Sequence, residues 1–258
     1  DKEIIIDNSN VGRNLQDHLG LDYLFKTHHH SLNKSLGTWP GRITSVLKYI
    51  YNRKGPLSLS INQSGGYVNW NSKHHYPNLQ IYFNPLTYSI THRNKRPLLK
   101  TDKFNGFIIG YNSCRPKSLG RVALNSPNFD DAPVIDPNFL SHEEDIYDVK
   151  CAINFSKVLA NTNNIKKIRN ESVTHDLLNA TEEEMIDHFK SNAVSIYHPC
   201  GTCKMDEDPK KGVVSERLKV HGMENLWIAD ASVFPNITSG NINAPVTVSY
   251  THLTLPTT

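Results

Sequence analysis

A run of short strand-like segments followed by two capped helices constrains the fold of this chain more than any other feature. The first helix begins at Ser141, with Glu144 three residues later, and its apolar face continues to about Leu159. The second begins at Thr181, with Glu184 at the same capping-box spacing. The strand-like segments precede these helices and are Leu79 to Phe83, Phe107 to Tyr111 and Arg121 to Leu124. Strands followed by helices, rather than alternating with them, predict an α+β fold.

Two more elements are predicted, one near each end of the chain. After Trp39-Pro40-Gly41, apolar residues recur with helical spacing until Gly55-Pro56 ends the run; they are Ile43, Val46, Leu47, Ile50 and Tyr51. Near the carboxyl end, Leu226 to Ala229 is typical of a buried strand that stops at Asp230. Open α/β sheets bind ligands at such a strand end. We therefore expect this terminal strand to lie apart from the other strands.

Length and charge exclude several classes of protein. The chain has 258 residues, which favours one large domain or two interleaved ones. Its net charge of +3 comes from scattered basic residues, so we expect no nucleic-acid partner. No apolar stretch approaches the ~20 residues of a spanning helix, so we expect no membrane span. The chain starts at Asp1 without Met or a signal peptide, and we expect it to be a fragment of a longer protein.

Cysteine and asparagine usage bears on the cellular compartment. The four cysteines are too sparse for a disulfide scaffold, and their pairing cannot be deduced from sequence; they are Cys114, Cys151, Cys200 and Cys203. N-x-S/T triplets, which also arise by chance in a chain rich in Asn, Ser and Thr, begin at Asn33, Asn62, Asn154, Asn170, Asn179 and Asn236. Their density favours a secreted, extracellular product.

The segment from Ile196 to Met205 is the densest in chemically capable side chains. His198 lies between a Tyr and a Pro, a setting that would suit a general base with a fixed backbone, although a lone His is more often structural. Cys200 and Cys203 form a C-x-x-C pair, which fits a redox dithiol or a metal site weakly. The sequence leaves these interpretations open.

A zinc-dependent deaminase is the sharpest competing enzyme. Pro199 to Cys203 matches the P-C-x-x-C half of the nucleobase deaminase signature, and His142-Glu143-Glu144 supplies an H-x-E. However, the predicted capping box already uses Glu144, and a whole helix separates the two halves. We therefore expect no metal site.

A second dense segment runs from Ala229 to Thr247. Its small residues, Gly and Pro would allow the backbone to approach a flat ligand, and Asp230 could accept a hydrogen bond from a hydroxyl group. Asn241 and Asn243 could donate hydrogen bonds. An ordinary Asn-rich loop would have the same composition.

Taken together, seven motifs in order resemble the glucose-methanol-choline (GMC) family of FAD-dependent oxidoreductases, most closely its insect glucose dehydrogenase-like members. They are Val11 to His18, Gly55-Pro56-Leu57, Arg115 to Val122, Ile135 to Asn138, His198 to Met205, Arg217 to Gly222 and Ala229 to Pro245. The resemblance covers almost the whole chain to Thr247 and corresponds to the carboxyl-terminal half of the family.

The resemblance implies an antiparallel-sheet substrate domain with helices, plus the terminal strand and loop of an α/β FAD-binding domain. It divides the chain into an FAD-domain remnant (1–20), a substrate-binding domain (21–197), an active-site segment with the return to the FAD domain (198–248) and an atypical tail (249–258). No G-x-G-x-x-G occurs in the sequence, so the ADP-binding unit is expected to precede it, and the fragment alone is expected to be inactive and without FAD.

The resemblance also assigns roles to individual residues. His198 is the base that takes the hydroxyl proton of an alcohol or sugar while Asn241 fixes the oxygen, and hydride passes to flavin N5. Asp230 and Ala231 would bind the ribityl and phosphate side of FAD, with Asn243 and Pro245 along the isoalloxazine. The implied partners are an alcohol or sugar substrate and an electron acceptor, either a quinone or oxygen.

Two alternatives concern the protein as a whole and its end. A non-catalytic GMC paralogue, acting as a binding or developmental protein, would share these motifs. After Val248 the family continues into a long amphipathic helix, whereas residues 249–258 contain β-branched residues and Pro without a helical stripe. We therefore expect the tail to be non-helical and of foreign or frameshifted origin.

Overall fold

The computed structural model describes residues 4–60, 62–71, 73–93, 96–174 and 176–251. The helices in these ranges are α1 (Leu32–Leu36), α2 (Trp39–Asn52), α3 (Glu143–Ala160), α4 (Asn163–Ile168), α5 (Glu182–Asn192) and α6 (Asn243–Thr251). The strands are β1 (Leu19–Lys26), β2 (Ser64–Val68), β3 (Leu79–Asn84), β4 (Tyr88–Arg93), β5 (Arg96–Thr101), β6 (Gly106–Ser113), β7 (Arg121–Ala123), β8 (Val134–Asp136) and β9 (Val194–Ser195). This mixture of helices and antiparallel strand pairs confirms the predicted α+β class.

The chain divides into two compact units, each assembled from separate stretches of sequence. The first unit comprises the residues up to Leu19, Ser113–Asp148 and the residues from Val194 onward. The second comprises Gly20–Asn112 and Val149–Ala193. Two boundaries expected from the resemblance, 20/21 and 197/198, lie near the limits of these units, whereas residues 113–148 pack with the first unit. The assignment of these stretches to family domains stays a prediction.

The second unit is built on a sheet with strands in the order β2, β3, β6, β1. β1 pairs antiparallel with β6, so that Tyr23 lies opposite Ile109, and β2 pairs antiparallel with β3. Side chains on one face of β1 and β6 are almost fully buried, and Phe25 stacks on Phe107 with ring centroids 5.4 Å apart. α5 contributes Phe189 to this core. The alternation of buried and less buried residues along β1 reflects the period of two expected of a strand.

The three predicted strands in the first half of the chain are confirmed as β3, β6 and β7. The strand predicted at Leu226 to Ala229 is wrong, because Trp227 makes only an isolated antiparallel bridge to Lys219. Leu226 is 45% exposed, whereas Ile228 packs against a cluster that contains Val214. The apolar run therefore lies in a loop that covers this cluster and is not a sheet strand.

All three predicted helices are confirmed, as α2, α3 and α5. The capping box of α5 is present: the Glu184 amide donates to Thr181 Oγ1 over 3.2 Å, and the Thr181 amide donates to Glu184 Oε2 over 2.8 Å. α2 ends at Arg53, which has a left-handed φ of 55°. The apolar stripe of α2 is exposed, with Ile50 at 61%, and Ser45 is its buried residue.

The capping box predicted at Ser141 is wrong. The Glu144 amide donates to His142 Nδ1 over 3.2 Å instead of to the Ser141 hydroxyl. Ser118 caps the start of α3 instead, because its hydroxyl oxygen accepts hydrogen bonds from the amides of Ser141 (2.9 Å) and His142 (3.2 Å). The buried carboxylate of Asp145 in turn accepts from the Ser118 amide over 2.8 Å. A contact distant in sequence therefore replaces the local cap.

The carboxyl-terminal helix, α6, was not predicted from the sequence. α6 runs to Thr251 and so includes residues 249–251, the first part of the tail that we expected to be non-helical. Ser249 and Thr247 donate through their hydroxyl groups to backbone oxygens one turn earlier, those of Val246 (2.8 Å) and Asn243 (2.9 Å). β-branched residues cost only a few tenths of a kcal/mol each in a helix, roughly, so this turn persists. Residues 252–258 lie outside the described residues, and a foreign origin of the tail stays a prediction.

Candidate active site

The segment that carries His198 is bonded to the amino-terminal strap, which we define as Val11 to His18. Gln16 and Cys200 form an antiparallel bridge, with amide-to-carbonyl distances of 3.0 and 2.9 Å. Further along, the Gly12 amide donates to the Thr202 carbonyl over 2.8 Å. The strap therefore fixes the path of the backbone directly after His198.

The opposite edge of the amino-terminal strap is bonded to residues 120–122. Leu15 and Gly120 exchange two backbone hydrogen bonds of 3.1 and 2.8 Å, and the Val122 amide donates to the Gly12 carbonyl over 2.7 Å. Gly12 has a φ of +79°, and a Cβ there would lie 2.0 Å from the Val122 carbonyl oxygen. Only glycine fits this close approach between two backbones.

Asp17, at the end of the strap, fixes the backbone of His198. One carboxylate oxygen of Asp17 accepts from the His198 amide over 2.9 Å, and the other accepts from the Ser195 hydroxyl. Between them Tyr197 is 78% exposed and has a left-handed φ of 64°, a conformation uncommon for a bulky residue. The backbone of His198 is thus fixed mainly by a carboxylate distant in sequence.

Two histidine rings meet at this point. His18 Nδ1 lies 3.0 Å from His198 Nδ1, and the rings are edge to face with centroids 5.2 Å apart. His18 is completely buried, and its Nε2 lies 3.2 Å from the backbone oxygen of Cys114. Burial lowers the pKa of His198, although the charge of Asp17 opposes this shift. Because the pKa lies below 6.5, His198 is mainly neutral at pH 7 and can accept a proton.

The residues predicted to bind the ribityl side of FAD lie next to the His198 segment. Asp230 caps the 3₁₀ turn Ala231–Val233 by accepting from the Ser232 amide over 2.8 Å. The Gly201 amide donates to the Ala231 carbonyl over 3.2 Å, and the Cys203 amide donates to the Ser232 carbonyl over 2.8 Å. The structure therefore brings Ala231 alongside the segment that follows His198, and it places Asp230 at a turn rather than at a strand end.

Asn241 and Asn243 lie at the entry to α6 with exposed side chains. Ile242, between them, is only 6% exposed and packs in one cluster with Ile237 and Cys200. Because Cys200 is two residues from His198, this cluster attaches the loop that carries Asn241 to the His198 segment.

An open groove lies beside this cluster. It has a volume of about 650 Å³ and a mostly apolar lining of Phe234, Pro235, Asn236, Thr238, Ala244, Pro245, Val248 and Ser249. Pro245, which the family resemblance assigns to the isoalloxazine, is part of this lining, whereas Asp230 and Ala231 are not. Proline, alanine and phenylalanine side chains suit contact with a planar ligand.

The cysteines near His198 are a buried thiol, Cys200, and a partly buried one, Cys203. Burial raises the pKa of Cys200 to about 12 and also raises the pKa of Cys203, although a hydrogen bond with Ser232 opposes the second shift. Among the described residues, the four cysteines form no disulfide bond. A raised pKa disfavours the thiolate that metal binding and disulfide exchange require. Within the described ranges, no three His, Cys, Asp or Glu side chains are grouped as metal ligands would be.

Sequence reasoning about individual residues missed Asp17, His18 and Gln16. The Gln16 side chain accepts from the Ile237 amide over 3.1 Å and donates to the Pro235 carbonyl over 3.3 Å, so it joins the strap to the groove. These residues lie about 180 to 220 positions from their partners. The available signal was the motif Val11 to His18, which contributed only to the family resemblance.

Comparison with known proteins shows which family the chain is similar to. Residues 116–249 match the sequence profile of the family described as GMC oxidoreductase. The chain is 33% identical over 243 residues to an alcohol dehydrogenase [acceptor] of Pseudomonas putida, covering 94% of this chain and 43% of that protein. It is 30% identical over 245 residues to an oxygen-dependent choline dehydrogenase of Cronobacter sakazakii, covering 95% and 42%. The chain thus spans less than half the length of these relatives.

Solved structures share the fold. A formate oxidase of Aspergillus oryzae superposes with a TM-score of 0.83 at 25% identity, covering 96% of this chain and 47% of that one. An FAD-dependent oxidoreductase of Chaetomium thermophilum superposes with a TM-score of 0.79 at 16% identity, covering 97% and 48%. In the described part of the chain, none of the helices combines the length and apolar content needed to cross a bilayer.

Proposed function

The chain belongs to the GMC oxidoreductase family, and from that premise we propose that it forms the catalytic half of an FAD-dependent enzyme that oxidises the CH–OH group of an alcohol. The observation that carries the proposal is the setting of His198. Its backbone is bonded to Asp17, its ring meets His18, and its lowered pKa keeps it neutral. The names of the two relatives, an alcohol dehydrogenase and a choline dehydrogenase, support an alcohol substrate.

His198 acts as the general base. Removing the hydroxyl proton raises the electron density on the carbinol carbon, which then loses hydride more readily. A base works best when its pKa lies near the working pH, because a large fraction is then in the proton-accepting form while the base still binds the proton well. Partial burial of His198 supplies that condition, and the fixed backbone holds the ring at one position relative to the bound alcohol.

Asn241 holds the substrate oxygen. Its amide group can donate a hydrogen bond to the oxygen while His198 takes the proton, so negative charge that develops there is stabilised. The exposed side chain before the buried Ile242 is consistent with a group that meets a ligand. A donor that orients and polarises contributes less than the base, because it does not carry the proton.

The groove beside α6 fits a flavin. Its mostly apolar lining, which includes Phe234 and Pro245, matches one face of a planar ring. We assign Asn243 and Pro245 to the ring, and Asp230 with Ala231 to the ribityl and phosphate side. FAD, when bound, supplies the hydride acceptor. The exposed Asp230 carboxylate can accept from a ribityl hydroxyl in addition to the Ser232 amide that it already caps.

The test uses the full-length protein that contains this sequence. We expect the purified protein to show flavin absorbance, and we expect the flavin to be bleached anaerobically by primary alcohols, choline included, more readily than by aldoses or formate. Reoxidation by oxygen and by a quinone, measured separately, identifies the acceptor. Flavin that no alcohol in the panel reduces would contradict the proposal and would favour a non-catalytic paralogue.

A further inference from the structure

The ring of His18 contacts the ring of His198, and the proposed function assigns no chemical role to His18. His18 is 0% exposed and makes two hydrogen-bond contacts through its ring, 3.0 Å to His198 Nδ1 and 3.2 Å to the Cys114 carbonyl oxygen. A buried polar ring with both nitrogens engaged is held in one orientation. Its protonation pattern therefore depends on these two hydrogen-bond partners, with the Thr238 backbone as a further neighbour of the ring.

The Cys114 contact fixes the proton on His18. A carbonyl oxygen only accepts hydrogen bonds, so His18 Nε2 must carry the hydrogen. Burial and the neighbouring His198 both lower the pKa of His18, whereas Asp17 and the backbone contacts of Cys114 and Thr238 raise it, with burial the largest effect. His18 is consequently neutral near pH 7. Its Nδ1 then carries a lone pair directed at His198.

The lone pair of His18 fixes the proton on His198 in turn. The two Nδ1 atoms lie 3.0 Å apart, and one hydrogen must lie between them for this contact to be favourable. Since His18 Nδ1 has no hydrogen, His198 Nδ1 must donate. The hydrogen of neutral His198 is thereby held on Nδ1, and its Nε2 carries the free lone pair.

The geometry points to His18 as a positioning residue that holds His198 in the tautomer whose Nε2 accepts the substrate proton. This inference rests on the proposed function, in which His198 is the base. It adds that two consecutive hydrogen bonds determine the two tautomers: the Cys114 carbonyl determines that of His18, and His18 determines that of His198. No proton passes between the two rings during the reaction.

The same strap holds His198 through its backbone. Asp17 accepts from the His198 amide over 2.9 Å, and the His18 carbonyl accepts from the Ile196 amide over 3.1 Å. Consecutive residues of the strap thus control both the position of His198 and its protonation pattern. A His18 that served packing alone would not need the Nδ1 contact with His198.

Two substitutions at His18 separate positioning from packing. In His18→Asn the side-chain oxygen can take the place of Nδ1 and accept from His198, whereas His18→Phe keeps a ring of similar size without an acceptor. In the full-length holoenzyme we expect His18→Phe to slow anaerobic flavin reduction by a primary alcohol about 10- to 100-fold, by analogy with the loss of a group that orients a metal-bound histidine. His18→Asn is expected to recover most of that rate. Flavin content and thermal midpoint report whether each variant is folded.

Nitrogen-15 NMR of the histidine rings gives a readout besides activity. In the parent protein we expect His198, identified by its loss in His198→Gln, to carry its hydrogen on Nδ1 and His18 to carry it on Nε2. The spectrum of the parent protein tests the inference even if a His18 variant does not fold. A hydrogen on His198 Nε2, or folded His18→Phe that reduces its flavin at the parent rate, would overturn the inference.

A third variant, His198→Ala, distinguishes failure of the positioning role of His18 from failure of the proposed function. If His198→Ala slows flavin reduction while both His18 variants match the parent, only the positioning role fails. If His198→Ala itself matches the parent, the proposed base is wrong, and the NMR result then describes a structural pair.

Discussion

The two units of this chain are stabilised in different ways. In the second unit, sheet and helix bury aromatic residues such as Tyr23, Phe25 and Phe189, each at most 2% exposed. In the first unit, the site is held by backbone bridges between non-repetitive segments, among them Leu15 to Gly120 and Gln16 to Cys200. Regular secondary structure supplies stability through packing. The site instead gains a defined geometry from individual hydrogen bonds and from residues with left-handed backbone conformation.

The largest effect on stability is expected from the aromatic core of the second unit. Phe189→Ala removes a ring that stacks on Tyr111 with centroids 5.8 Å apart. We expect a loss of about 3–5 kcal/mol in the free energy of unfolding, the usual cost of truncating a buried Phe to Ala. Urea denaturation of the full-length protein measures it. Phe129→Ala is the matched control, because Phe129 is 85% exposed, and an equal loss in both variants would contradict the packing account.

A smaller but substantial effect is expected where the amino-terminal strap meets residues 120–122. Gly12→Ala forces a Cβ to within 2.0 Å of the Val122 oxygen at a φ of +79°. Left-handed strain alone costs a non-glycine residue about 1–3 kcal/mol. The thermal midpoint and the flavin content should both fall. In Gly66→Ala a Cβ would meet no atom within 4 Å, so a loss equal to that of Gly12→Ala would show that close approach is not the cause.

The capping box of α5 should contribute about 1 kcal/mol. Thr181→Ala removes the oxygen that accepts from the Glu184 amide, a typical N-cap loss of about 1 kcal/mol. Thr162, at the start of α4, makes no side-chain cap hydrogen bond, and its hydroxyl donates instead to the Leu159 carbonyl over 2.8 Å, so Thr162→Ala is a control for the loss of a hydroxyl that does not cap. Chemical denaturation compares the two. If Thr162→Ala were as destabilising as Thr181→Ala, the cap would not explain the effect.

The smallest expected effect is on the pH dependence of folding stability. Its sign for the histidines of the first unit is opposite to its sign for Asp22 of the second. Burial lowers the pKa of His18 and His198 below 6.5, so the unfolded chain binds more protons there. Their contribution to stability is fully present above about pH 6.5 and is lost as the pH falls through the folded pKa values. Burial raises the pKa of Asp22 above 3.8, so its contribution is present below that pH and is lost as the pH rises through its folded value.

Denaturation at several pH values separates these contributions. Between pH 7.5 and 5.5 we expect the parent to lose stability relative to His18→Asn, because the variant has one fewer titrating group. Asp22→Asn should instead remove a contribution that stabilises the folded protein at low pH. Parallel curves for the parent and His18→Asn would contradict the assignment of a lowered pKa to His18.

What the sequence could predict follows the same division. α5 was predictable because Thr181 and Glu184 form a local signal, and β3 and β6 because they are short segments rich in Ile and aromatic residues. The box at Ser141 failed because Ser118, more than twenty residues earlier, caps that helix entry. A strand was wrongly predicted at Leu226 to Ala229 because burial of Ile228 alone does not require a sheet.

The candidate site was predictable only in part. His198, Ala231 and Pro245 lie on neighbouring segments, as the motif order indicated, and their roles stay predictions. Asp17 and His18 escaped residue-by-residue reasoning because no local pattern indicates a contact across some 180 positions. Two other predictions also stay open: secretion, and glucose dehydrogenase-like substrate preference.

The rate of flavin reduction in His198→Ala tests the central claim most directly. Stopped-flow absorbance of the full-length holoenzyme, mixed anaerobically with saturating alcohol, follows this step without the electron acceptor. We expect a rate about 10²- to 10⁴-fold below the parent with flavin still bound, the usual contribution of a positioned general base. Asn241→Ala should be slowed less, and His29→Ala, which alters an exposed loop histidine, should match the parent. A His198→Ala protein that reduces its flavin at the parent rate would contradict the account.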